Sequence, residues 1–233
     1  MSRTLRWWLL SLACSYAGFA GAHEVRAADV VAIAAAAGPL EVTRAYLTHG
    51  ITHILFGYDH LLFVLALMLI VRNTRVLVAT ITAFTLAHSI TLALATLAYA
   101  QVPGPPVEAT IALSILLLAG EIVRVRRGQP SLTQRRPWIV AFAFGLLHGF
   151  GFARALAGIG LPHGDLPLAL FAFNVGVEVG QLAFIAGVLA VLALARRVAL
   201  PAVITRYTYP VVTLGIGALS AFWLIERVSV FWT

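Results

Sequence analysis

The chain of 233 residues has no lysine and a single cysteine, Cys14. One cysteine excludes an internal disulfide and any site built from several thiolates. Methionine is scarce too, with two residues, which argues against a soft thioether path for Cu(I). Charge is thin: 11% of residues are charged, against about 25% in ordinary soluble domains. No nucleotide-binding motif is present, so nothing points to work driven by nucleotide hydrolysis.

What is present is apolar. Hydrophobic residues make up 61% of the chain and fall in long blocks, which places it in the membrane class. The formal charge is +7, and all 16 basic residues are arginine. In a soluble protein that balance would suggest nucleic acid. Here the arginines gather at the ends of apolar blocks, where they act as topology and headgroup anchors, so the expected partner is the bilayer and not nucleic acid.

Residues 1–22 read as a cleavable signal peptide. Arg3 and Arg6 precede a short apolar run from Trp7 to Ala20, and Ala20-Gly21-Ala22 fits a small-x-small cleavage site. Ser11 stands where a lipoprotein signal ending at Cys14 would carry leucine. Cleavage would leave His23 at the new terminus, which reads first as a solvated histidine and second as an accessory metal site made by its amine and imidazole. Residues 23–47, with Gly38-Pro39 inside them, read as a short extracytoplasmic or interfacial segment.

Residues 48–228 read as an all-α transmembrane domain with six spans, at 50–71, 76–100, 107–123, 138–157, 167–195 and 208–226. The runs lack strand alternation, and only helices or closed barrels satisfy the backbone in lipid. Arg72 and Arg75 follow the first span. Arg124, Arg126, Arg127, Arg135 and Arg136 follow the third, and Arg196, Arg197 and Arg206 the fifth. The intervening loops, 101–106 and 158–167, have none. The positive-inside rule puts the arginine-rich loops in the cytoplasm and both termini outside, as a cleaved signal peptide also requires. This is the topology of a multi-pass protein of the bacterial inner membrane.

Ionisable residues inside spans cost about 2.5–3.5 kcal/mol each at the helix centre, and so call for a function. The first span carries His53, Asp59 and His60, with His49 on the same face one turn before His53. The second carries His88 on a stripe with Thr85 and Thr91, and the fourth carries His148. The fifth carries Asn174, Glu178 and Gln181 at i, i+4, i+7 spacing. Counting residues from the loops puts His60, His88, His148 and Glu178 near one middle depth, with His53 closer to the outer surface. Imidazole with carboxylate suits Ni, Co, Zn or Fe(II). Asp59 could ligate directly or orient an imidazole. Asn174 and Gln181 are accessory candidates or helix–helix glue, and Glu121 beside the arginine cluster reads as a structural salt bridge.

Phe56-Gly57-Tyr58-Asp59-His60 shares F-G-x-x-H with Phe144-Gly145-Leu146-Leu147-His148. Three spans per half would make the halves inverted, and inverted repeats around a midplane site are a transporter signature.

These motifs resemble the HupE/UreJ family of nickel and cobalt permeases linked to hydrogenase and urease maturation. The resemblance rests on H-x5-D-H at His53, Asp59 and His60, and on Phe84-Thr85-Leu86-Ala87-His88-Ser89. It rests also on Phe144-Gly145-Leu146-Leu147-His148-Gly149-Phe150-Gly151 and Asn174-Val175-Gly176-Val177-Glu178-Val179-Gly180-Gln181. It covers roughly residues 48–226. The better-studied branch has a second histidine and a glutamate soon after its fourth-span His-Gly. Here Phe152 and Ala155 stand there, which marks a sister branch and leaves Glu178 to supply the carboxylate.

The resemblance implies a permease that moves nickel or cobalt, with zinc or iron as further cargoes, and that holds no permanent cofactor. Its ligands would be His53, Asp59, His60, His88, His148 and Glu178. Its partners would be the metal ion, cytoplasmic metal-accepting proteins and other copies of the chain. Two other readings of the same residues are an intramembrane zinc hydrolase, with Asp59 or Glu178 as base, and a bis-His haem electron carrier. The expectation is of a transporter and not an enzyme.

Overall fold

The structure is a computed structural model that describes residues 38–100, 102–159, 165–197 and 202–232, with side chains in those stretches except at 153–159 and 202–206. The expected signal peptide, Cys14, His23 and Ala155's side chain lie outside the described residues. The described chain is helical throughout: α1 Pro39–Phe56, α2 Tyr58–Ile70, α3 Thr74–Thr96, α4 Gly104–Arg126, the short α5 Leu132–Arg135, α6 Pro137–Ile159, α7 Leu166–Ala195 and α8 Ala202–Ser229. A 3-10 turn, Val230–Trp232, ends it.

The first helix begins at Pro39, well before the expected start of the first span at residue 50. Gly38-Pro39 looks like a breaker in sequence. It is the helix start, since proline at the first helical position lacks only an N–H that would go unbonded anyway. The expected first span is also not continuous. Gly57, with φ −83° and ψ 89°, leaves the helical region, and α1 and α2 meet there at 69°. A Cβ on residue 57 would lie 2.5 Å from the His53 carbonyl oxygen, so the break needs glycine.

Among the described residues, α3, α4, α7 and Tyr207–Trp232 are long and apolar enough to cross a membrane, and the bent α1–α2 pair makes a fifth candidate. The part of α6 with described side chains, Pro137–Phe152, is apolar but shorter. Length and composition therefore support four or five of the six expected spans. Asn73 caps α3 by accepting hydrogen bonds from Arg75 N at 2.9 Å and Val76 N at 3.2 Å.

Three helix pairs dominate the packing: α3 with α6, α1 with α7, and α4 with α8. The first two are glycine contacts. A Cβ at Gly145 would meet the Phe84 carbonyl oxygen of α3, and one at Gly149 would meet Thr91 Oγ1 and the His88 carbonyl oxygen. Because 145 and 149 meet 84 and 88 in the same order, α3 and α6 run in the same direction. Gly176 meets Leu47 and Gly180 meets Ile51 and Ile54, so α1 and α7 also run in parallel. Such close backbone approach replaces the hydrophobic driving force that lipid does not supply between helices. One apolar core gathers Phe63, Ile81, Phe84, Ile115 and Ile122 from α2, α3 and α4. A second gathers Val42, Tyr46, Ile54, Phe173 and Val177 from α1 and α7.

Candidate functional site

Four helices deliver imidazoles to one place between these cores. His53 comes from the last turn of α1 and His60 from the first turn of α2. The 69° bend at Gly57 turns two residues of one chain segment towards each other, and their ring centroids lie 4.7 Å apart. His88 of α3 lies 6.1 Å from His60 and 6.5 Å from His53, centroid to centroid. His148 of α6 lies 5.0 Å from His60. His60, His88 and His148 are buried at 7%, 0% and 1% exposure.

Ser114 of α4, which the sequence reading passed over, reaches His148. Its hydroxyl donates to the Ile111 carbonyl at 2.7 Å and lies 3.4 Å from His148 Nε2. His148 Nδ1 pairs with His60 Nε2 at 3.5 Å. Both ring nitrogens of His88 and Nε2 of His53 are buried without a hydrogen-bond partner. A buried polar atom left unbonded costs about 1–3 kcal/mol, so this concentration of bare nitrogens describes a place built to receive something.

Aromatic rings close the cluster. Phe84 and Phe63 lie against His148 at 5.1 and 5.4 Å. Phe152 lies 3.9 Å from His53 and stacks on Phe173 at 4.8 Å. Phe152, expected from the resemblance to mark a sister branch, thus touches the cluster with a phenyl ring. His49 reaches the same aromatic pair, 6.0 Å from Phe152 and 5.9 Å from Phe173.

The carboxylates expected among the ligands are placed differently. Asp59 Oδ2 accepts from Arg227 Nη2 of α8 at 2.8 Å, while Oδ1 is buried and unbonded. Glu178 stands apart from the imidazoles. Its Oε1 accepts from Thr82 Oγ1 at 2.6 Å, about 9 Å along α3 from His88 by helical rise. His60, His88 and His148 therefore lie together, while Glu178 is bonded to α3 six residues before His88. Gln181 Oε1 accepts from Thr85 Oγ1 at 2.9 Å, and Asn174 Nδ2 donates to the Leu170 carbonyl of its own helix at 2.8 Å. Glu121 acts as a structural tie, as expected. It accepts from Ser131 Oγ at 2.5 Å and Thr133 N at 3.2 Å, with Arg124 Nε 3.6 Å away.

A cavity of about 830 Å³ opens onto His53, His60 and His148 from the side of Asp59, Glu108 and Arg227. As the side chains stand, no three His, Cys, Asp or Glu residues among the described ones are arranged to hold a metal ion. The imidazoles face one another through hydrogen bonding and ring contact, so a closed coordination shell requires rotations about their χ angles.

Apolar helices packed around buried histidines define a multi-pass helical membrane protein with a polar site in its interior. The HupE / UreJ protein family model matches residues 29–227, and the chain belongs to that family. The family is a transporter-type family associated with nickel and cobalt transport. No curated protein and no solved structure matches the chain.

Proposed function

We propose that the protein carries a divalent transition metal ion, nickel or cobalt, across the bacterial inner membrane through the cluster of His53, His60, His88 and His148. The observation that carries the reading is the convergence of buried imidazoles from α1, α2, α3 and α6, with nitrogens of His53 and His88 left unbonded and His60 and His148 paired with each other. Imidazole donors match borderline cations such as Ni²⁺, Co²⁺ and Zn²⁺. In this reading a hydrated ion enters the cavity, sheds water, and takes Asp59 and a subset of the imidazoles as ligands. It then passes Glu178, Thr82 and Gln181 on its way inward. Neutral imidazoles on separate helices bind weakly enough to let go, which conduction requires. Two charges moving inward gain about 4.6 kcal/mol per 100 mV of membrane potential.

The proposed topology has six crossings with the arginine-rich loops inside. Alternation through six crossings makes the first and fifth spans run one way and the second and fourth the other way, as parallel α1–α7 and α3–α6 pairs require. The pairing also favours the 3+3 inverted repeat. A half-turn that exchanges the two halves carries the α3–α6 pair onto α7–α1 and α4–α8 onto itself, and those are the three main pairs.

The test is nickel, cobalt and zinc accumulation in cells that express wild type, His60→Ala or Asp59→Asn at equal membrane levels. The transport reading expects accumulation to fall to background in both variants. Equal accumulation in all three defeats it.

A further inference from the structure

Resting on that transport reading, we propose that Arg227 is a tethered cation that competes with the incoming metal for Asp59 and so decides which cations reach the histidines. Three contacts hold its guanidinium at the mouth of the cavity. Nη2 donates to Asp59 Oδ2 at 2.8 Å, Nη1 donates to the Glu108 carbonyl at 3.0 Å, and the guanidinium carbon lies 5.6 Å from the Trp223 ring centre. Arg227, Asp59, Glu108 and Glu226 line the same cavity as His53, His60 and His148. Asp59 adjoins His60 directly, in the first turn of α2. The guanidinium therefore sits on the carboxylate that adjoins the imidazoles.

Arginine stays charged at any physiological pH, so this position always carries a positive charge until the side chain moves. A monovalent ion offers Asp59 no more charge than Arg227 already does. A divalent ion doubles the Coulomb attraction, and beyond Asp59 it finds bare imidazole nitrogens that a guanidinium, having only donors, gains less from. Hard divalent ions such as Ca²⁺ and Mg²⁺ gain the charge but little from nitrogen donors. Displacing Arg227 thus requires both double charge and an affinity for imidazole. Once displaced, the guanidinium has Glu108 and Glu226 on the cavity lining as alternative partners.

The test uses the full chain with Cys14→Ser and Ile111→Cys. Ile111 lines the cavity one turn along α4 from Glu108, so its thiol lies behind the guanidinium. Modification by a trimethylammonium thiosulfonate is timed in membranes, with and without Arg227→Gln. If the bound form of Arg227 leaves about a tenth of molecules open, its removal speeds labelling about tenfold. Arg227→Lys, which keeps the charge but cannot bridge Asp59 and the Glu108 carbonyl as a planar fork, speeds it by a smaller factor and covers the case in which Arg227→Gln does not accumulate. In parallel, excess Ca²⁺ inhibits nickel uptake by Arg227→Gln and not by wild type. Labelling at the wild-type rate in whichever of the two variants accumulates, or no Ca²⁺ inhibition there, overturns the proposal. Labelling does not depend on transport, so a wild type that moves no metal defeats the transport reading while leaving this result readable.

Discussion

His148 Nδ1 faces His60 Nε2 at 3.5 Å, joining a helix of the first half of the chain to one of the second. The pair is buried, and Ser114 Oγ lies 3.4 Å from the far nitrogen of His148. An ion placed between these rings would replace a single weak hydrogen bond with two nitrogen ligands.

His148→Ala and His60→Ala should therefore lower apparent metal affinity together, and the double variant should lose little more than either single one, because the two act as a unit. Metal-dependent thermal shift of the purified protein checks this. Independent, additive losses would separate the two residues.

Ser114→Ala removes the hydrogen-bond partner of His148 Nε2 while leaving every imidazole in place. Loss of such a supporting contact costs about 10–100-fold in metal affinity. The expected result is a raised half-saturating nickel concentration with an unchanged maximal uptake rate, measured at matched membrane abundance.

Gly149 and Gly120 provide a matched pair. A Cβ at Gly149 meets Thr91 Oγ1 and the His88 carbonyl oxygen, whereas nothing lies within 4 Å of one at Gly120. Gly149→Ala should lose about 1–3 kcal/mol through overpacking. Gly120→Ala should gain up to about 1 kcal/mol from lower unfolded-state entropy. Unfolding midpoints in detergent would show the contrast.

Glu121 ties the arginine-rich loop to α4 through Ser131 and Thr133. Glu121→Ala leaves the Thr133 N–H and the Ser131 hydroxyl without that acceptor and should cost about 1–2 kcal/mol of stability. Its metal affinity should match wild type, since Glu121 is remote from the histidines. A fall in affinity at unchanged stability would assign Glu121 to the path instead.

The sequence shows the helical character, the approximate spans and the four central histidines, because charge and imidazole stand out against apolar blocks. The glycines beside the histidines, Gly57 among them, read as sites of close packing or local unwinding, but an apolar run with one glycine does not say which of the two occurs or at what angle. The sequence does not show that Glu178 bonds Thr82, because spacing along one helix does not say which side chain of a neighbouring helix it meets. Ser114 was silent: a serine in a span is common, and only the fold puts it beside His148. Arg227 left a readable trace as an arginine at the arginine-poor end of the last span, where anchoring alone does not account for it.

The most direct measurement places the purified protein in sealed vesicles with an internal metal-sensing dye and an inside-negative potential, and compares wild type with the His60→Ala, His148→Ala double variant. Wild type should carry nickel or cobalt inward at a rate that rises with the potential, and the double variant should match empty vesicles. Equal dye responses from the two proteins would contradict the account at its centre.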